Sequence, residues 1–134
     1  MGSIGASKSN NLPKYSNEQG VILNSTVEAD PRYTKMAAVE GLMSYQAREI
    51  LRDIMRIEEK GETEGEITVY DFQTSGTQTF GNLLTAHTRA IKEAGYKVYE
   101  RVNEDIRSGG YHGGRGRYNY ARTDRARTLK FRKV

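Results

Sequence analysis

Two stretches of this chain place apolar residues at every third or fourth position, and each such stripe needs another surface to cover it. Met36, Val39, Met43, Ala47, Ile50, Ile54 and Ile57 recur at helical spacing, with Arg48, Glu49, Arg52, Asp53, Arg56 and Glu59 on other faces. Asp30 followed by Pro31 is a helix start, because the aspartate oxygen takes an orphan amide and proline has none to satisfy. The spacing predicts a helix from Pro31 to the turn Gly61-Glu62-Thr63-Glu64-Gly65. The second stripe comprises Phe80, Leu83, Leu84, His87, Ile91 and Ala94. Ser75-Gly76-Thr77-Gln78, at capping-box spacing, opens it, and Gly95 closes it.

Helices with one apolar stripe pack on a sheet when strands lie between them in the chain. Residues 66–72, with Ile67, Val69, Tyr70 and Phe72, have the β-branched and aromatic content of a strand, and residues 96–102 alternate like one with a wet face. Residues 128–132 form another. Val21-Ile22-Leu23, continued by Asn24-Ser25-Thr26-Val27, predicts one more before Asp30-Pro31 stops it. The expected fold is α+β: two helices on a small mixed sheet of three to four strands. A flexible arm covers residues 1–19, the α+β core 20–106, and a basic Gly/Arg/Tyr-rich segment ending in a strand 107–134. Strand, helix, strand implies a right-handed crossover if the two strands are parallel neighbours, and the last strand is free to pair with either edge.

A chain of 134 residues suffices for one core, and a hydrophobic fraction of 36% fits a modest core with polar ends. The absence of cysteine removes disulfides and thiolate metal sites, and His87 and His112 are the only imidazoles, so neither a metal nor a cofactor is expected. No apolar run approaches the roughly 18 residues that cross a bilayer, and the first residues lack a signal-peptide pattern. Ala6 also stands where a myristoylation motif has Ser or Thr. A cytoplasmic setting in a host cell, with no membrane partner, follows as the expectation.

The charge is divided. Residues 1–106 carry 12 Lys/Arg against 16 Asp/Glu, whereas residues 107–134 carry 9 Lys/Arg against Asp124 alone. Such clustering creates a local field that an even distribution would cancel, as contact with RNA, DNA or an acidic partner requires. The candidate nucleic-acid-binding residues are Arg107, Tyr111, His112, Arg115, Arg117, Tyr118, Tyr120, Arg122, Arg125 and Arg127. Arginines reach backbone phosphates, tyrosines offer ring faces to unpaired bases, and the intervening glycines let the chain follow an irregular partner. A solvated basic loop has the same composition.

Weaker candidates lie elsewhere. Thr74, Ser75, Gly76 and Thr77 join a predicted strand to a predicted helix start, where free amides and hydroxyls hold phosphate, although ordinary capping explains them as well. There is no lysine at Walker spacing. His87, on an apolar stripe, reads as a hydrogen-bonded core histidine. His112 lies among arginines, where an imidazole acts as general acid or base in RNA cleavage, but no second histidine or carboxylate accompanies it in the loop. The row Arg48, Arg52, Arg56 reads as surface ion pairing with Glu49, Asp53 and Glu59, and the acidic run Glu58, Glu59, Glu62, Glu64, Glu66 as a solvated turn.

The opening Met1-Gly2-Ser3-Ile4-Gly5-Ala6-Ser7 resembles the Gly/Ser/Ala-rich start of short proteins encoded by tailed phages and prophages of Gram-positive gut bacteria, with Ile4 where that start usually has Arg. The resemblance implies an accessory or head-associated phage protein, a class that includes inhibitors of bacterial defence systems acting on a guide RNA, a nucleoprotein or a signalling nucleotide. It carries over no catalytic residue. Three readings stand: a nucleic-acid- or nucleoprotein-binding protein, a module that binds a host or phage protein, and a nucleotide-binding or RNA-cleaving protein.

Overall fold

The computed structural model describes residues 11–108 and 122–134. In chain order the elements are α1 (Asn24–Ala29), α2 (Pro31–Ala37), α3 (Ser44–Glu59), β1 (Glu64–Tyr70), a 3-10 turn (Asp71–Gln73), α4 (Phe80–Glu93), β2 (Tyr96–Asn103), β3 (Ile106–Ser108), β4 (Arg122–Asp124) and β5 (Ala126–Lys133). The α+β class matches the sequence reading, with more helices than the two expected.

The sheet has the order β1-β5-β2, and both pairings are antiparallel. The expected mixed sheet is therefore corrected: β1 and β2 run parallel to each other but are not neighbours, because β5 lies between them. The last strand pairs with both of the others. β2 and β5 also continue past the sheet. Asn103 pairs with Arg127, the Glu104 amide donates to the Ala126 carbonyl, and Ile106, Arg107 and Ser108 then pair with Asp124, Thr123 and Arg122 in the same register. β3 and β4 thus extend the β2–β5 hairpin as a two-stranded ribbon, beyond the point where β1 ends opposite Ala126.

One face of the sheet carries the helices. Ile67 pairs with Leu129 and Gly65 with Phe131, while Phe131 meets Tyr96 edge to face at 5.5 Å. The core of Ile50, Leu51, Ile54 and Met55 from α3, Leu83, Ala90 and Ile91 from α4, and Met36 from α2 closes over them. The opposite face is polar: Thr68 and Thr128 share a hydroxyl contact of 2.8 Å, Lys130 meets Glu100 at 3.8 Å, and Arg132 lies over the Tyr99 ring.

The predicted long first helix is broken. Gly41 adopts φ +86°, and residues 38–43 turn the chain before α3 begins. The Gln78 side chain donates to the Gly41 carbonyl, and the Gln46 side chain accepts the Met43 amide, so the break has its own partners. After the break α3 buries Leu51 and Met55 beside the expected Ala47, Ile50 and Ile54, while Met43, its N-cap, is exposed.

The strand expected from Val21 to Val27 is also absent. Ile22 is buried and its neighbours exposed, so the alternation is real, but the Ile22 carbonyl accepts from Arg52 instead of from a strand, and α1 follows. Residues 11–19, expected in a flexible arm, lie against α3. The Glu59 carboxylate accepts from the Tyr15 amide and the Ser16 hydroxyl, each at 2.6 Å, and Tyr15 packs against the core.

Gly65 is needed for close approach. A Cβ there would sit 2.9 Å from the Phe131 ring and 3.3 Å from Ile57. Gly65→Ala is expected to destabilise the fold by about 1–3 kcal/mol, the usual range for overpacking, measured by urea unfolding. Glu59→Ala is expected to expose Lys14 to trypsin while leaving the thermal midpoint of the core nearly unchanged; equal cleavage of both proteins would show that Glu59 does not hold the arm.

Candidate nucleic-acid interface

The residues singled out in the basic segment are divided by the fold. Arg107 and Arg122 lie on β3 and β4, one register position apart along the ribbon. Tyr111, His112, Arg115, Arg117, Tyr118 and Tyr120 fall outside the described residues, as does the glycine-rich run between them. Arg125 and Arg127 sit at the root of the ribbon, where it joins the sheet.

These two root arginines already have partners. Arg125 pairs with Asp71 at 2.7 Å and Arg127 with Asp105 at 3.0 Å, and both guanidinium groups lie over the Phe80 ring, 5.2 and 5.5 Å from its centroid. Asp105 additionally accepts from the Ala126 amide. The Asp71 amide donates to the Arg125 carbonyl at 2.8 Å. Together these contacts fix the direction in which the ribbon leaves the sheet. They also satisfy charge that the sequence assigned entirely to a partner.

Thr74, Ser75, Gly76 and Thr77 are not the first turn of a helix. Gln78 does accept from the Ser75 amide at 3.2 Å, half of the expected capping box, but α4 starts later. Thr79 caps it, its hydroxyl accepting from the Asn82 amide at 3.1 Å. Ser75 and Thr77 instead line an open groove of about 650 Å³ together with Gln78, Asn82 and Arg89. Among the described residues no group of His, Cys, Asp or Glu side chains is arranged to hold a metal ion, and no helix is long and apolar enough to cross a membrane.

His87 lies inside the core at 4% exposure, its Nδ1 2.9 Å from the Leu83 carbonyl. That contact requires the proton on Nδ1. Burial disfavours the imidazolium and lowers the His87 pKa, with the carbonyl contact opposing the shift only in part. Arg48, Arg52 and Arg56 pair with Glu28, Glu49 and Asp53, so the row is engaged in surface ion pairs.

The acidic run proved more than a solvated turn. Glu58 receives the Arg32 guanidinium on both oxygens at 2.8 and 2.9 Å, and also the Tyr96 hydroxyl at 2.7 Å. Arg32 in turn holds Asp30, the N-cap of α2. Burial raises the Glu58 and Asp30 pKa values, but the hydrogen bonds and charge of Arg32, joined at Glu58 by hydrogen bonds from Tyr96 and Tyr15, together outweigh it and both end lowered. Burial and then the Glu58 hydrogen bond raise that of Tyr96. A sequence signal for this role existed: Glu58 lies four residues after the buried Ile54, on the same helical stripe.

No family model matches the chain, and neither a curated protein nor a solved structure matches it.

The shifts separate two acid transitions. His87 binds a proton more readily when unfolded, so its contribution is complete above its ordinary pKa of 6.5 and is lost as pH falls through the lowered folded value. Glu58, lowered from 4.5, and Asp30, lowered from 3.8, contribute above those values and lose their contribution only in stronger acid. In urea titrations, His87→Leu is expected to flatten the stability loss that begins as pH falls below about 6.5 while keeping the steeper loss below about pH 4.5. An unchanged slope just below about pH 6.5 would place that titration elsewhere.

Proposed function

We propose that this chain is a nucleic-acid- or nucleoprotein-binding protein that makes contact through its basic C-terminal segment. The observation that carries the reading is the ribbon: β3 and β4 extend the central hairpin beyond the sheet, and the densest basic and tyrosine-rich stretch of the sequence lies between them. A two-stranded ribbon is narrow enough to enter a nucleic-acid groove or lie along a strand. The partners of Arg125 and Arg127 make these two the fixed base of the interface, and leave Arg107, Arg115, Arg117 and Arg122 as the candidates for phosphate contact. The resemblance of the opening residues to short phage proteins supports an origin on a phage or other mobile element, where inhibition of a host defence nucleoprotein is one use for such a surface.

Binding of this kind is dominated by counterion release and depends steeply on salt. Purified without nuclease, the protein is expected to carry nucleic acid that high salt removes. Replacing Arg115, Arg117 and Arg122 by Ala is expected to weaken oligonucleotide binding and to reduce the slope of log K against log salt by about 2, near 0.7 for each lost single-strand contact. Unchanged affinity and slope would move the function to a protein partner, tested by co-purification that survives nuclease.

A further inference from the structure

A lone exposed phenylalanine on a protein surface needs no explanation, but Phe72 has three features that ordinary surface residues lack together. It is 61% exposed, the most exposed aromatic side chain among the described residues. Its ring stacks on Tyr70 with centroids 5.1 Å apart and planes 19° from parallel, so one face is backed by a second aromatic ring while much of the side chain stays open to solvent. It also lies at the root of the ribbon, between Asp71 and Gln73, in a turn whose first amide donates to the carbonyl of Arg125.

The turn that presents the ring is firmly held. Tyr70 donates its amide to the Gln73 side chain at 2.7 Å, the Thr74 amide donates to the Asp71 carbonyl at 3.1 Å, and Asp71 binds Arg125. The arrangement suits an unpaired base. Bases stack on aromatic faces that are fixed in advance, in company with cationic side chains that track the backbone, whereas a duplex keeps its base faces covered.

Resting on the nucleic-acid reading above, we infer that Phe72, backed by Tyr70, is a stacking platform for an unpaired base, and that the ligand of this interface is single-stranded nucleic acid. The strand would run from the arginines of the ribbon to the platform at its root. Neither aromatic belongs to the basic segment, so the interface spans two parts of the chain that only the fold brings together.

The test uses the full chain with fluorescently labelled oligouridylate and oligodeoxyuridylate of about twelve nucleotides, within the site size of single-strand binders, and a duplex of equal length. The wild type is expected to prefer the single strands, with the better of the two identifying the sugar. Phe72→Ala is expected to weaken single-strand binding about 5- to 100-fold, the range spanned by one stacked base, with duplex binding and the salt slope unchanged. Phe72→Trp should restore binding, and because the side chain is largely outside the core, circular dichroism melts of all three proteins should coincide. If the wild type binds but Phe72→Ala binds single strands equally well, or if the duplex is preferred, the platform is wrong while the basic-segment reading stands. If the wild type binds neither single strand nor duplex, both fall.

Discussion

The sheet depends on its last strand. β5 makes every backbone pairing in the three-stranded sheet, so β1 and β2 have no neighbour without it. It also contributes Leu129 and Phe131 to the middle of the core, where Phe131 contacts Tyr96 and fills the space above Gly65. The pairing of β1 with β5 joins residues far apart in the chain, and such pairing carries a loop-closure penalty that local helices do not. The helices can therefore form early, but their apolar faces are covered only once the C-terminal residues are in place.

A second constraint fixes the helices relative to the sheet. Arg32 on α2 binds Glu58 on α3, and Glu58 receives the hydroxyl of Tyr96 at the start of β2, so one carboxylate joins three elements. The pair is largely withdrawn from solvent and each charge is hydrogen-bonded more than once, the condition under which such a pair offsets its desolvation. A hydrophobic contact at this corner would stabilise it without setting an angle. The bidentate guanidinium–carboxylate geometry sets the direction in which α2 crosses α3.

The local features of the fold were legible in the sequence. The stripe from Phe80 to Ala94, the stop at Gly95, the Asp30-Pro31 start and the three strand cores all stand where periodicity and capping place them, because each is decided by neighbours within a turn or two. The break at Gly41 was not legible, since the apolar spacing runs through it and the side chain that secures it, Gln78, comes from another element. Sheet order failed for a related reason: strand propensity identifies what can pair, while the choice of partner belongs to the assembled core. At the candidate site the basic segment was evident from charge alone. Phe72 was read as the end of a strand, and its exposure follows from the 3-10 turn that Gln73 and Arg125 stabilise. The structural work of Arg125 and Arg127 was hidden too, because the carboxylates that bind them are distant in sequence.

From Glu100 to Ser108 the hairpin keeps one register against its partner strand, and this has an evolutionary consequence. Among the described residues the pairing runs as far as Ser108 opposite Arg122, and the sheet below it is fixed by residues that lie outside the intervening stretch. Lengthening a loop adds closure entropy only slowly, so insertions, deletions and substitutions there would leave the core nearly indifferent. Selection could exchange that stretch like a cartridge, changing what the protein recognises without re-solving how it folds.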